Sequence, residues 1–79
     1  MERCVDRVLT QLARDKTPER EVGRAVLAKC ESALRDAVVE SMQTGEARGM
    51  CASLEACLPI ARKRTADEAT EAYRVRLSR

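Results

Sequence analysis

The five residues DKTPE, at positions 15–19, form the clearest boundary in the chain, and the fold is organised around them. Thr17 is a good helix N-cap, Pro18 fits the first helical position, and Glu19 places a negative charge where the helix dipole favours one. The stretch therefore predicts that one helix ends at its first residue and that another begins at residue 18. Because the connection is short, we expect the two helices to run antiparallel.

The segments on both sides of this boundary have the apolar spacing of amphipathic helices. The first helix is predicted over residues 2–15, and the second over residues 18–44, where Gly45 is suited to the position that follows a helix. The apolar face of the first helix comprises Cys4, Val5, Val8, Leu9, Leu12 and Ala13. The apolar stripe of the second comprises Val22, Val26, Cys30, Ala33, Leu34, Ala37, Val38 and Met42.

A third helix is predicted over residues 53–78, after a loop over residues 45–52. Ser53 is its predicted N-cap, and Pro59, which lacks an N–H group, predicts a kink inside it. The sequence TADE at positions 65–68, directly after Arg64, matches a capping box and leaves open a fourth short helix from residue 66. We therefore predict one all-α domain over residues 1–79. It is a small antiparallel three-helix bundle, stapled by disulfides, with a kink or break near Pro59 or Arg64.

Few large side chains are available to fill the core of this domain. The 79 residues include one Tyr, no Trp and no Phe, although aromatic rings bury roughly 150–250 Å² each in typical cores. A chain of this length also buries only about 60% of the surface that its unfolded form exposes. We therefore expect stability to depend on disulfides, a metal ion or a second subunit.

The four cysteines allow three pairings and also a fully reduced state. In an antiparallel hairpin Cys4 and Cys30 fall on facing stripes at similar distances from the turn, so a bond between them is favoured. Cys51 and Cys57 are too far apart to be bonded within one regular helix, since six residues rise about 9 Å and a disulfide needs Cα atoms within about 7 Å. Their bond requires the helix to begin between them. Crossed pairings, or four thiols acting as small core residues, are the alternatives.

The residue types present argue against most catalytic and metal chemistry. The chain has no His, so a Ser-His-Asp triad is excluded. Its cysteine spacings match neither paired zinc ligands nor a C-x-x-C redox motif. No glycine-rich phosphate loop occurs. We therefore predict a protein that is not an enzyme and has no catalytic residue, metal, cofactor or small-molecule substrate.

Two sets of residues are candidates for binding a partner. Leu27 and Val39 lie off the main stripe of the second helix and Met42 lies near its end, so these three predict an apolar contact surface. Arg62, Lys63 and Arg64 form a basic cluster, which Arg74, Arg76 and Arg79 follow on the same helix. The overall charge of +2, from 15 basic and 13 acidic residues, is lower than expected for a dedicated nucleic-acid binder.

The leading hypothesis is a non-enzymatic protein-interaction module of an oxidising compartment, of the inhibitor, immunity or stress-accessory type, with homodimerisation as one form of partner binding. No apolar segment reaches the roughly 20 residues of a membrane span, and no signal peptide follows Met1. The sequence therefore predicts the mature form of a periplasmic or secreted protein. The alternatives are a reduced cytoplasmic regulator that binds nucleic acid or an acidic partner through the basic third helix, and a subunit that acts by assembly alone.

Overall fold

The computed structural model describes residues 1–45 and 51–78, which form three α-helices and no strand. The helices are α1 (Glu2–Arg14), α2 (Glu19–Thr44) and α3 (Leu54–Leu77). The predicted all-α fold and the three-helix arrangement are therefore confirmed. Most of the predicted loop over residues 45–52, together with Arg79, lies outside the described residues.

The connection between α1 and α2 is held by the end of α1 rather than by a side-chain cap on α2. Thr17 donates its backbone N–H to the carbonyl of Leu12 at 3.0 Å, and Lys16 donates to Ala13 at 3.2 Å. Lys16 lies in the left-handed region, with φ of 55°. These are the bonds of a Schellman motif, which satisfies the last carbonyls of a helix.

The predicted N-cap at Thr17 is therefore wrong. Pro18 occupies the N-cap position of α2, with φ of −59° and ψ of 139°, and no side chain caps the helix. The residue that the sequence favours as a cap is used instead, through its backbone, to close α1. The prediction of a short reversal at DKTPE is unaffected, because the same five residues still separate two antiparallel helices.

The core is divided into two apolar clusters along α2. The first cluster is shared by all three helices and contains the buried residues Val8, Leu9, Leu12, Val22, Val26, Cys30, Ala69 and Tyr73. The second is formed by α2 and α3 and contains the buried residues Leu34, Val38, Cys57 and Leu58. With 13 residues, α1 is about 20 Å long, half the length of α2, so it covers only the first cluster.

Both predicted disulfides form, and each one belongs to a different cluster. The Cα atoms of Cys4 and Cys30 lie 5.9 Å apart, and those of Cys51 and Cys57 lie 5.5 Å apart. Ser53 caps α3 as predicted, since its Oγ accepts a hydrogen bond from the N–H of Ala56 at 3.2 Å. The helix thus begins between Cys51 and Cys57, as a bond between them requires.

The third helix is continuous through Pro59 and Arg64, the two positions near one of which a kink or break was predicted. Pro59 lies inside α3, which runs as one helix to Leu77 without a fourth helix in the described residues. The proline removes the donor for the carbonyl of Glu55, but both residues are exposed, so this carbonyl is accessible to solvent and the loss of the bond is tolerated. At Arg64 the capping-box sequence lies in the middle of a helix whose packing against α2 keeps it continuous.

The one residue with non-helical dihedral angles inside a described helix is Cys30 in α2, where φ is −111° and ψ is 16°. No Gly or Pro next to it predicts an irregularity. The position coincides with the disulfide to Cys4 and with the boundary between the two apolar clusters. The Sγ atom of Cys4 also lies 3.7 Å from the carbonyl oxygen of Lys29, which is a contact and not a hydrogen bond because a disulfide sulfur carries no proton.

Helices α2 and α3 lie close together at Gly23. A methyl group built on Gly23 would lie 3.0 Å from the Cβ of Ala66, which is tighter than ordinary van der Waals contact. The missing side chain therefore allows the two helix backbones to come together here.

Candidate functional site

Polar contacts tie the second half of α3 to the other two helices. Tyr73 is fully buried, and its hydroxyl lies 2.7 Å from the carbonyl oxygen of Thr17 and 3.2 Å from that of Leu12. Arg76 donates to Asp6 of α1 at 2.6 Å and to the hydroxyl of Thr10 at 2.6 Å. These contacts connect the end of α3 to α1 and to the connection between α1 and α2. They therefore hold α1 in position against the other two helices.

A second ion pair joins the start of α2 to the end of α3. Arg74 donates to the carboxylate of Glu19, with its Nε 2.7 Å from Oε1, and also to Glu71 at 3.0 Å. The hydrogen bond from Arg74, helped by its charge and opposed by partial desolvation, lowers the pKa of Glu19, while the same contact raises the pKa of Arg74. The side chains are 58% and 42% exposed, so the pair lies at the surface, where ion pairs contribute little to stability.

The predicted basic cluster of α3 is neutralised within the molecule. Arg62 pairs with Glu31 of α2 at 2.5 Å. Lys63 and Arg64 pair with acidic residues one turn further along α3, Asp67 and Glu68, each at 3.2 Å. Of the basic residues that follow, Arg74 and Arg76 are paired as well, and Arg79 lies outside the described residues. The third helix therefore presents few unpaired positive charges.

The three apolar candidates on α2 do not form one exposed patch. Leu27 and Met42 are half-buried and pack against the second cluster. Val39 is also half-buried and is not among the residues of either cluster. Among the described residues, the large apolar side chains that are exposed lie elsewhere, at Met1, Ile60, Val75 and Leu77.

A row of arginines on α1 is the basic surface that the sequence reasoning missed. Arg3, Arg7 and Arg14 are exposed and lie along the solvent side of the helix, since steps of four and seven residues return to the same face. None of them forms an ion pair with a described residue. We call these three residues the basic row. They border a shallow surface groove of about 470 Å³.

The acidic residues of this part of the chain form no ion pair with the basic row, although Glu2 and Asp15 are exposed close to its two ends. Asp6 accepts from Arg76 of α3, and Asp15 accepts from Gln11 at 3.3 Å. The repeat of Arg at positions 3, 7 and 14 is visible in the sequence. That it stays unpaired becomes visible only when the tertiary partners of Asp6 are known.

A second shallow groove runs between α1 and α3 and is mainly apolar. Its volume is about 460 Å³. Its lining includes Met1, Val5, Leu9, Ala69 and Ala72, with Glu2, Asp6, Glu68 and Arg76 among the polar residues. Met1 is 43% exposed there. Both grooves are open to solvent, and such surfaces suit contact with another macromolecule better than enclosure of a small ligand.

The described residues form neither a metal-binding cluster nor a helix that could span a membrane. No three Cys, Asp or Glu side chains among them are grouped so that they could hold a metal ion. None of the described helices has an apolar stretch of the length that a bilayer requires. No protein-family model, curated protein or solved structure matches the chain.

Proposed function

We propose that this protein is a disulfide-stapled helical module of an oxidising compartment, periplasmic or secreted, that acts by binding another protein. Inhibitor, immunity and stress-accessory proteins work in this way. The observation that carries the proposal is the placement of the disulfides, one in each apolar cluster. A core with one aromatic ring, divided into two small clusters, has little stability to spare once these bonds are reduced.

The form of the surface supports protein binding rather than the second hypothesis. Both grooves are shallow, and they lie on helices whose positions are fixed by disulfides and interhelical hydrogen bonds. The alternative of a cytoplasmic regulator requires a basic third helix, but Arg62, Lys63 and Arg64 each have a carboxylate partner. It also requires reduced thiols, whereas all four cysteines are bonded.

The redox part of the proposal is tested by alkylating the protein, isolated from its own host, without reductant and measuring its intact mass. We expect no alkylation, and a melting temperature that falls when reductant is added. Four alkylated thiols, or a melting temperature that ignores reductant, would contradict an oxidising compartment.

The binding part is tested by crosslinking the whole chain in that host and measuring the mass of the product. A complex with another protein, or with a second copy of the chain, supports the proposal. Light scattering over a dilution series separates these two results, because a homodimer changes mass with concentration. A chain that remains an uncrosslinked monomer in its own compartment would contradict a binding role.

A further inference from the structure

We propose that the basic row of α1 is the surface on which the partner protein docks, and that the partner presents an acidic helix to it. This inference rests on the proposed protein-binding function and names the surface and the chemistry of its partner. The partner helix is expected to carry carboxylates at spacings of four and seven residues, the spacings of Arg3, Arg7 and Arg14.

The first argument is that these three charges have no partner within the described residues. The basic side chains of α3 are paired with carboxylates at distances of 3.2 Å or less. On α1 the basic row is exposed, and the nearby Asp6 forms its ion pair with Arg76 of α3 instead. The fold therefore neutralises one basic surface and leaves another available.

The second argument is that α1 is held firmly enough to act as a docking platform. Near its start, Cys4 is bonded to Cys30. At its end, the Schellman bonds and the Tyr73 hydroxyl fix the last turn. A surface on a rigid element loses less conformational entropy on binding than a surface on a loop.

The third argument concerns the chemistry of the partner. Guanidinium groups bind carboxylates and phosphates through paired hydrogen bonds. An acidic protein helix fits better than a phosphate backbone because the basic row is short. Three guanidinium groups on one helix face match a few carboxylates at helical spacing, and not a continuous line of phosphates. The chain also has a net charge of only +2 and an isoelectric point near 8.5, below the range typical of nucleic-acid-binding domains.

A comparable set of arginines on α2 is a less suitable surface and provides a matched control. Arg20, Arg24 and Arg35 are exposed and also lack ion pairs among the described residues. The first and last of them are 15 positions apart on α2, against 11 positions for the basic row of α1, so their charge is less concentrated. Replacing these three arginines removes the same amount of charge from the protein as replacing the basic row.

The test uses two synthetic helical peptides of identical composition, one with Glu at spacings of four and seven residues and one with the Glu positions scrambled. Binding to the full-length oxidised protein is measured by isothermal titration calorimetry at low and at physiological ionic strength. We expect the matched peptide to bind more tightly than the scrambled one. The variant R3Q/R7Q/R14Q should weaken that binding about tenfold, whereas R20Q/R24Q/R35Q should change it less than about twofold.

Several results would overturn the proposal. Equal losses in both variants would show a response to overall charge, and equal binding of both peptides would show that spacing is irrelevant. Tighter binding to duplex DNA than to the matched peptide would indicate a phosphate partner. Unchanged melting temperatures of both variants establish that the fold is intact, as expected for exposed side chains without partners.

Failure of this inference is distinguishable from failure of the proposed function. If the protein crosslinked in the host still binds R3Q/R7Q/R14Q with unchanged affinity, the docking surface lies elsewhere and the binding role stands. If crosslinking yields no complex at all, the proposed function itself fails.

Discussion

The hydroxyl of Tyr73 donates a hydrogen bond of 2.7 Å to the carbonyl oxygen of Thr17, 56 positions earlier in the chain. The only aromatic ring of the protein thus connects the end of α3 to the turn between α1 and α2. Since the ring is fully buried, it fills the first cluster while its hydroxyl satisfies a backbone group that the turn leaves without a helical partner. Tyr73 therefore both fills the core at this end of the bundle and forms the hydrogen bond that holds the connection between α1 and α2.

Replacing Tyr73 with Phe should keep the packing and remove the hydrogen bond. The Thr17 carbonyl then loses its donor, so we expect the free energy of unfolding to fall by about 1–3 kcal/mol. Urea denaturation of the oxidised protein measures the change. The variant Y73A, which also removes the ring, should cost more, about 3–5 kcal/mol. If Y73F were as stable as the natural protein, the hydrogen bond of the hydroxyl would contribute no more to stability than the hydrogen bonds with water that it replaces on folding.

Replacing Gly23 with Ala should destabilise the protein even though Ala is the better helix former. The added methyl meets the Cβ of Ala66 at 3.0 Å, and a Cβ is fixed to its backbone, so relief requires the helices to separate. Overpacking of this kind costs about 1–3 kcal/mol, against a gain in helix propensity of about 1 kcal/mol. We expect a net loss of roughly 1 kcal/mol, measured by chemical denaturation.

The double variant G23A/A66G supplies the control for that steric explanation. Removing the methyl of Ala66 makes room for the new one, so the double variant should be more stable than the sum of the two single changes predicts, by about 1–2 kcal/mol. Purely additive effects would mean that the two positions do not meet, and that the loss in G23A has another cause.

The helices and disulfides were predictable because they depend on local patterns and simple geometry. The spacing of apolar residues identified the three helices, and the equal distances of Cys4 and Cys30 from DKTPE placed them opposite each other. For Cys51 and Cys57, the reach of a disulfide required a helix start between them, and Ser53 supplied its cap. These inferences need only periodicities and lengths that the sequence contains.

The turn and the charged surfaces were not predictable, because they depend on contacts between distant residues. Thr17 has the side chain of an N-cap, yet its backbone is used by Leu12 and Tyr73, and Lys16 takes a left-handed conformation that favours Gly. Arg62 is neutralised by Glu31, 31 positions away. This pairing can be predicted only when the register of α2 against α3 is known. In the same way, the exposure of the three apolar candidates and the lack of ion pairs in the basic row depend on neighbours that only the tertiary structure identifies.

Removing the two disulfides separately should destabilise the protein unequally. In the loop-entropy relation, the loop closed by Cys4 and Cys30, with a separation of 26 residues, contributes about 3.5 kcal/mol. The loop closed by Cys51 and Cys57, with a separation of 6 residues, contributes about 2.4 kcal/mol. We therefore expect C4A/C30A to lower the free energy of unfolding more than C51A/C57A, as measured by guanidinium denaturation.

Hydrogen exchange distinguishes a local from a global effect of these two variants. Loss of Cys51–Cys57 should raise exchange mainly in the second cluster, at the amides near Leu34, Val38 and Leu58, because α1 does not cover that region. Loss of Cys4–Cys30 should raise exchange in all three helices, since the first cluster holds them together. Equal exchange profiles for both variants would indicate that the two clusters unfold as one unit.

The ion pair of Glu19 with Arg74 should make stability depend on pH in the acidic range. Because the pKa of Glu19 is lowered in the folded state from an ordinary value of 4.5, the pair's contribution is fully present above that value. It is lost as the pH falls through the lower pKa of the folded protein. The natural protein should therefore be more stable than E19Q at neutral pH, and the difference should disappear in more acidic solution.

Urea denaturation at a series of pH values measures this difference, and E21Q is the matched control. Glu21 lies in the same first turn of α2 and has no ion pair among the described residues, so E21Q tests whether the helix dipole alone produces the effect. A carbon-detected NMR titration of the Glu19 carboxyl group gives its pKa directly, and R74Q should raise that pKa. A Glu19 carboxyl that titrates at or above 4.5, or a pKa that R74Q leaves unchanged, would show that the guanidinium does not hold the carboxylate in its charged form.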